Sequence, residues 1–165
     1  MIGNDIVDLA LAKKESNWKR RGFLDKLFTP KEQLFILNSI NPETTVWNLW
    51  SRKEACYKIY NRQTQRRGFI PLQLECVDVE TKDGIIHGKV VRYGITYYTR
   101  TKITSEFIET NAVLNPDFFD KIKTLSSCEQ LIKTNEIPYY YDSKSKILKQ
   151  ASKSHHGRFE RIISF

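Results

Sequence analysis

Two short segments hold the residues whose types and spacing suit chemistry: Gly3-Asn4-Asp5-Ile6-Val7-Asp8, and further along Trp50-Ser51-Arg52-Lys53-Glu54-Ala55-Cys56-Tyr57-Lys58. Asp5 stands in an apolar stretch that reads as a strand. Glu54 and Lys58 are four apart in a helical pattern, so both project from one helix face. Two hard carboxylates and an ammonium are the inventory that magnesium and a diphosphate require. On a helical wheel Glu54 falls among Trp47, Trp50 and Tyr57, on the aromatic side of the helix. A surface pair with Lys58, contributing about 0.2–0.5 kcal/mol, is the plain alternative. A metal ion or cationic partner accounts for the same carboxylate by neutralising it in a partly dry setting. Asp5 can serve simply as a cap or turn beside Asn4. The flanking Ile2, Ile6, Val7 and Leu9 argue instead for burial, and a buried carboxylate needs hydrogen bonds, a cation or a metal.

The elements that must position these residues are legible in part. Ile2 to Leu11 reads as a strand leading into a turn or short helix. Thr29-Pro30-Lys31-Glu32 offers an N-cap, a proline at the first helical position and a glutamate at the third, predicting a helix through about Asn38. A second helix is predicted after Asn41-Pro42-Glu43, running through Val46, Leu49, Trp50, Tyr57 and Tyr60, with a basic loop over Asn61 to Gly68. From Leu72 the period changes to two: Leu72, Leu74, Cys76 and Asp78 oppose Gln73, Glu75, Val77 and Val79. Asp83-Gly84 marks a hairpin turn, and antiparallel strands are expected to about residue 104. Asn115-Pro116-Asp117 predicts a third helix through roughly Lys133. Ala151 to Phe165 reads as strand, turn at His156-Gly157, then strand. The class is α+β, in one domain spanning 1–165, with an antiparallel sheet packed on the long motif-bearing helix.

At 165 residues and 40% hydrophobic content the chain has room for one real core. A net charge of +8 favours an anionic partner, whether nucleic acid, a phosphorylated cofactor or an acidic protein. The basic residues are scattered, with short clusters at Lys19-Arg20-Arg21 and Arg66-Arg67, and lack the longer run of a nucleic-acid tail. Cys56, Cys76 and Cys128 are odd in number, far apart and without a CxxC pair, which argues against a disulfide framework or structural zinc and for reduced, buried thiols. No membrane span or signal core is legible, so a cytoplasmic location is expected.

With both segments in view, the chain resembles the 4'-phosphopantetheinyl transferases, whose motifs are a Gly-x-Asp segment near a strand and a later aromatic-x-x-Lys-Glu-Ala-x-x-Lys helix. Here they read Gly3-Asn4-Asp5 and Trp50 to Lys58, in the family's order and separation. Ser152-Lys153-Ser154-His155, followed by Gly157-Arg158-Phe159, looks like the family's Ser-x-Ser-His element, which helps hold the phosphates of coenzyme A. Its place at the C-terminal end matches the short, holo-acyl-carrier-protein-synthase type. The resemblance implies transfer of the phosphopantetheine arm of coenzyme A to a serine of an acidic acyl or peptidyl carrier protein, releasing adenosine 3',5'-bisphosphate. It implies Asp5 and Glu54 as magnesium ligands and Lys58 as the cation facing the phosphate. Glu54 becomes the group that takes the serine proton, directly or by way of a bound water. Ser154 and His155 become phosphate contacts, Asp8 and Lys53 supporting residues, and Arg52 and Lys53 weaker phosphate candidates. The basic stretch Lys13, Lys14, Lys19, Arg20, Arg21 is the expected carrier-docking surface. Short members assemble as trimers, so a homo-oligomer, trimer favoured, is expected.

The chain also departs from that pattern. Val7 stands where long members have a second acidic ligand, Ile59-Tyr60-Asn61-Arg62-Gln63 replaces a glycine-rich turn, and an insertion falls between about residues 85 and 145. Two other function classes therefore stand beside the transferase. One is a non-catalytic relative that binds coenzyme A or a carrier. The other is a basic single-stranded nucleic-acid binder that stacks bases on Tyr97, Tyr98, Tyr139, Tyr140 and Tyr141.

Overall fold

A computed structural model describes residues 1–126 and 131–165, leaving aside the side chains at 78 and 79. Cys128 thus lies outside the described residues, while Cys56 and Cys76 are free, buried thiols as expected. In chain order the elements are β1 (Ile2–Asp8), α1 (Leu9–Glu15), α2 (Phe23–Leu27), α3 (Pro30–Leu37), α4 (Pro42–Thr64), β2 (Glu75–Lys82), β3 (Ile85–Arg92), β4 (Ile95–Ile103) and β5 (Phe107–Val113). A 3-10 segment, Pro116–Lys121, then leads to β6 (Lys123–Leu125), β7 (Leu131–Thr134), β8 (Ile137–Asp142), β9 (Ile147–His156) and β10 (Phe159–Ser164). The α+β class and the antiparallel sheet packed on a long helix are as expected.

The strands form two antiparallel five-stranded sheets, ordered β1-β5-β4-β3-β2 and β6-β10-β9-β8-β7. Helix α4 lies across the first sheet, burying Val46, Leu49, Ala55, Cys56 and Ile59 in a core shared with Leu74, Val90, Tyr97 and Ile108. Asn41 caps it by accepting from the Thr44 amide, and Pro42 follows in the first turn, where its missing N–H costs no helical bond. The capping box is also present: the Thr29 hydroxyl accepts from the Glu32 amide, and the Glu32 carboxylate accepts from the Thr29 amide.

Strand β1 is the edge of the first sheet, paired with β5 on one side. Its other edge is covered by side chains of β9: Ser152 Oγ accepts from the Asn4 amide, and His156 Nδ1 accepts from the Asp8 amide at 2.8 Å. An uncovered edge would leave these donors open to another chain's strand, and side chains of alternate β9 residues fill that role here.

Three expectations are corrected. The helix expected from Asn115 to Lys133 stops after the 3-10 turn, although Asn115 does accept from the Asp117 amide. Phe119 is buried under the Arg100 guanidinium and Phe118 meets Phe165, which pins that turn, while β6 is taken up by pairing with β10. Helix α4 runs past Asn61 to Thr64, because Arg62 is drawn inward to donate to the carbonyls of Pro138 and Ala151. The first strand after α4 begins at Glu75, since Pro71–Gln73 forms a 3-10 turn that leaves Leu72 exposed while Leu74 and Cys76 are buried. Among the described residues no helix is long and apolar enough to cross a membrane.

Candidate active site

A glycine at position 3 lets β1 lie directly on α4, because a Cβ there would overlap the Ala55 carbonyl oxygen. Small residues on both sides of that contact bring Asp5 against the half-exposed stripe of α4. The Lys58 Nζ stands 3.8 Å from Asp5 Oδ1. It also donates to the carbonyl oxygens of Asn4 at 2.5 Å and Lys153 at 3.2 Å, so it ties β1, α4 and β9 together at one point.

Asp5 and Glu54 line one cavity of about 340 Å³, walled by Trp47, Trp50, Phe23 and Leu27 and closed on one side by His155 and His156. Burial raises the Asp5 carboxyl above its ordinary range, opposed by the Lys58 charge and by a hydrogen bond from Ser51. Burial likewise pushes Glu54 up to about 7, with the Asp5 charge adding to the shift and Lys58 opposing it. Lys58 is lowered by burial, against the pull of both carboxylates. Two desolvated acids, one of which also raises the other, form a site that a cation would relieve, and both offer the oxygen donors of a hard divalent ion. Among the described residues no group of three or more acids, histidines and cysteines surrounds such an ion, so water or ligand oxygens would have to complete its shell.

The structure thus brings together Asp5, Glu54, Lys58 and His155. Four other candidates are engaged elsewhere. Lys53 is buried in an ion pair with Glu32 at 2.7 Å and donates to the Leu27 and Pro71 carbonyls, because α2, α3 and the 3-10 turn cover the side of α4 from which it projects. Arg52 is fully buried on the sheet side, donating to Thr99 Oγ1 and to the carbonyls of Val77 and Lys89. Ser154 is buried and accepts from the Asn4 side-chain amide at 3.0 Å, so it braces β1. Asp8 caps α1 and is gripped by the backbone and guanidinium of Arg158, which hold its carboxyl far below the usual carboxylate range; it does not line the cavity.

Three residues that sequence reasoning passed over matter here. Asn4 is fully buried and joins Ser152, Ser154, Arg161 and Lys58. Arg158 locks the β9–β10 turn onto Asp8, and His156 faces the cavity. Period two along β9 places Ser152, Ser154 and His156 on one face, the only sequence signal for His156. The basic residues Lys13, Lys14, Lys19, Arg20 and Arg21 are all exposed, and Ala12, Ser16 and Phe23 of the same stretch form part of the cavity wall.

A helix carrying a Lys-Glu-Ala-x-x-Lys run, packed on a strand whose aspartate faces it, defines the class of protein. A model of the 4'-phosphopantetheinyl transferase superfamily (ACPS) matches residues 1–107, well over half of the chain, and the chain belongs to that superfamily. It is 35% identical over 71 residues to a fatty acid synthase subunit alpha of Candida parapsilosis, a stretch that is 43% of this chain. The chain spans about 4% of the length of that curated relative. A solved apo-ACPS structure of Chronobacterium ammoiniagenes matches at 12% identity with a TM-score of 0.48, covering 68% of this chain and 93% of that one.

Proposed function

We propose that this chain transfers the 4'-phosphopantetheine arm of coenzyme A to a serine hydroxyl of an apo acyl or peptidyl carrier protein, giving holo carrier and adenosine 3',5'-bisphosphate. The observation that carries the reading is the meeting of Asp5 and Glu54 at one cavity, with both carboxyls raised by burial and the Lys58 ammonium 3.8 Å from Asp5. Asp5 and Glu54 would hold a divalent cation of the magnesium type, and when bound it supplies positive charge against the coenzyme's diphosphate. Lys58 spends two of its three N–H donors on backbone carbonyls, which fixes the ammonium, and the third is left for a phosphate oxygen as charge develops on the leaving group. Glu54 accepts the proton of the carrier's serine hydroxyl at a carboxylate oxygen, directly or by way of a bound water. Trp47, Trp50 and Phe23 keep water from the site and strengthen these electrostatic effects. A homo-oligomer, trimer favoured, is the assembly that goes with this reading, and an active monomer in solution scattering would discard it.

The deciding experiment is mass spectrometry of apo carrier proteins incubated with this chain, coenzyme A and magnesium, with a chelator control. A chelator-sensitive gain of one phosphopantetheine arm supports the reading. Coenzyme A binding with no gain on any carrier assigns the chain to the non-catalytic relatives. Tyr97 is fully buried and Tyr139 lies under the Arg62 guanidinium, which removes two of the five rings a base-stacking protein would use.

A further inference from the structure

His156 stands outside the family's Ser-x-Ser-His element, one residue past its histidine, yet the fold commits its ring to a defined state. The Asp8 backbone N–H points at His156 Nδ1 across 2.8 Å. A backbone amide is only a donor, so Nδ1 must offer its lone pair, and the ring making this bond carries its proton on Nε2. Asp8 cannot drift from that position, since Arg158 grips its carboxylate through the backbone amide and the guanidinium. Nδ1 is therefore spent on β1. His156 also lines the cavity, with Asp5, Glu54 and His155, and Nε2 is the ring nitrogen left to a ligand there.

A positioned N–H donor suits this place, since it can bind an anionic oxygen and leave the carboxylates of Asp5 and Glu54 free. Period two along β9 turns Ser152, Ser154 and His156 toward β1, so the face that braces the site also delivers this donor.

We propose that His156 is a substrate-binding residue, whose Nε2–H, fixed by the Asp8 amide on Nδ1, donates to a phosphate oxygen of the diphosphate that lies beside Asp5 and Glu54. This rests on the transferase reading, and the experiment separates the two. Coenzyme A and inorganic pyrophosphate are titrated calorimetrically, with magnesium present, into the wild-type chain and into His156→Asn and His156→Gln. The Asn amide oxygen can occupy the place of Nδ1 and keep the Asp8 amide satisfied while removing the Nε2 donor. The Gln amide nitrogen reaches the place of Nε2.

The expected result is an unchanged melting temperature for His156→Asn with affinity for both probes lowered roughly 10- to 100-fold, as for loss of a hydrogen bond to a charged group, and a smaller loss for His156→Gln. Long-range proton–nitrogen spectra of the ring should show the Nε2–H form before ligand is added. Wild-type affinity in His156→Asn, or a ring protonated on Nδ1 instead, overturns the proposal and leaves the transferase reading standing. A wild-type chain that binds neither probe overturns the transferase reading itself. Should His156→Asn fail to fold, the His156→Gln titration and the ring spectrum decide by the same criteria.

Discussion

Because burial lifts the Glu54 carboxyl to about 7, the folded chain takes up a proton there more readily than the unfolded one does. The stabilising effect of that proton is fully present below the unfolded value near 4.5 and is lost as pH rises through about 7. Without divalent ions, Glu54→Gln should therefore be more stable than wild type at pH 8 by roughly 1–3 kcal/mol, with the difference vanishing toward pH 5. Urea melts at the two pH values check this, and the same variant should have lost carrier transfer. Equal stability of the two chains at pH 8 would show that Glu54 is not held in a dry site. Lys53 makes the opposite case, a charge that serves the core. Its partner Glu32 also accepts from the Thr29 and Cys76 amides, so removing the ammonium strands a buried carboxylate. Lys53→Ala should cost about 3–5 kcal/mol in chemical denaturation, and Lys53→Met combined with Glu32→Gln distinctly less.

At the scale of elements, the contact of β1 with α4 decides whether Asp5 meets Glu54 and Lys58 at all. Gly3→Ala forces the strand off the helix backbone and should destabilise the chain by about 1–3 kcal/mol or more. A melting curve matching wild type would mean that the strand has room to shift. Local signals made much of this arrangement readable. The cap at Thr29, the cap at Asn41 and the Asp83-Gly84 turn each act within four residues, and each element starts or turns where they indicate. Spacing alone set Glu54 and Lys58 on one helix face, and the resemblance of the two motifs to a known family is what joined Asp5 to them. The stretch after Asn115 was not legible, because its conformation is set by β10 and by Phe165, which the local sequence does not contain. Lys53 was misplaced for a related reason. A helical wheel shows one dry face, whereas α4 is covered by the sheet on one side and by α2, α3 and the Pro71 turn on another. Asn4 donates to Ser154 across two strands far apart in sequence, and no spacing rule joins residues 150 apart.

Taken whole, the molecule carries a net charge of +8, and its exposed Lys13, Lys14, Lys19, Arg20 and Arg21 adjoin the wall of the cavity. An acidic carrier should be steered there. Raising ionic strength from low values to about 0.15 M should cut the association rate roughly tenfold or more, and charge reversal at Lys19, Arg20 and Arg21 should raise KM for the carrier while sparing that for coenzyme A. Stopped-flow association and steady-state kinetics read the two effects, and salt-insensitive association would place the docking surface elsewhere. The bonds from Asn4 to Ser152 and Ser154, and from Asp8 to His156 and Arg158, have a consequence for how the protein is made. They join β1 to a hairpin separated from it by about 150 positions. During synthesis β1 leaves the ribosome about 150 positions before residues 147–164, and its outer edge waits for them. A nascent chain can assemble α4 and the first sheet before then, but β1 gains the bonds that brace the candidate site only once residues 147–164 have been made.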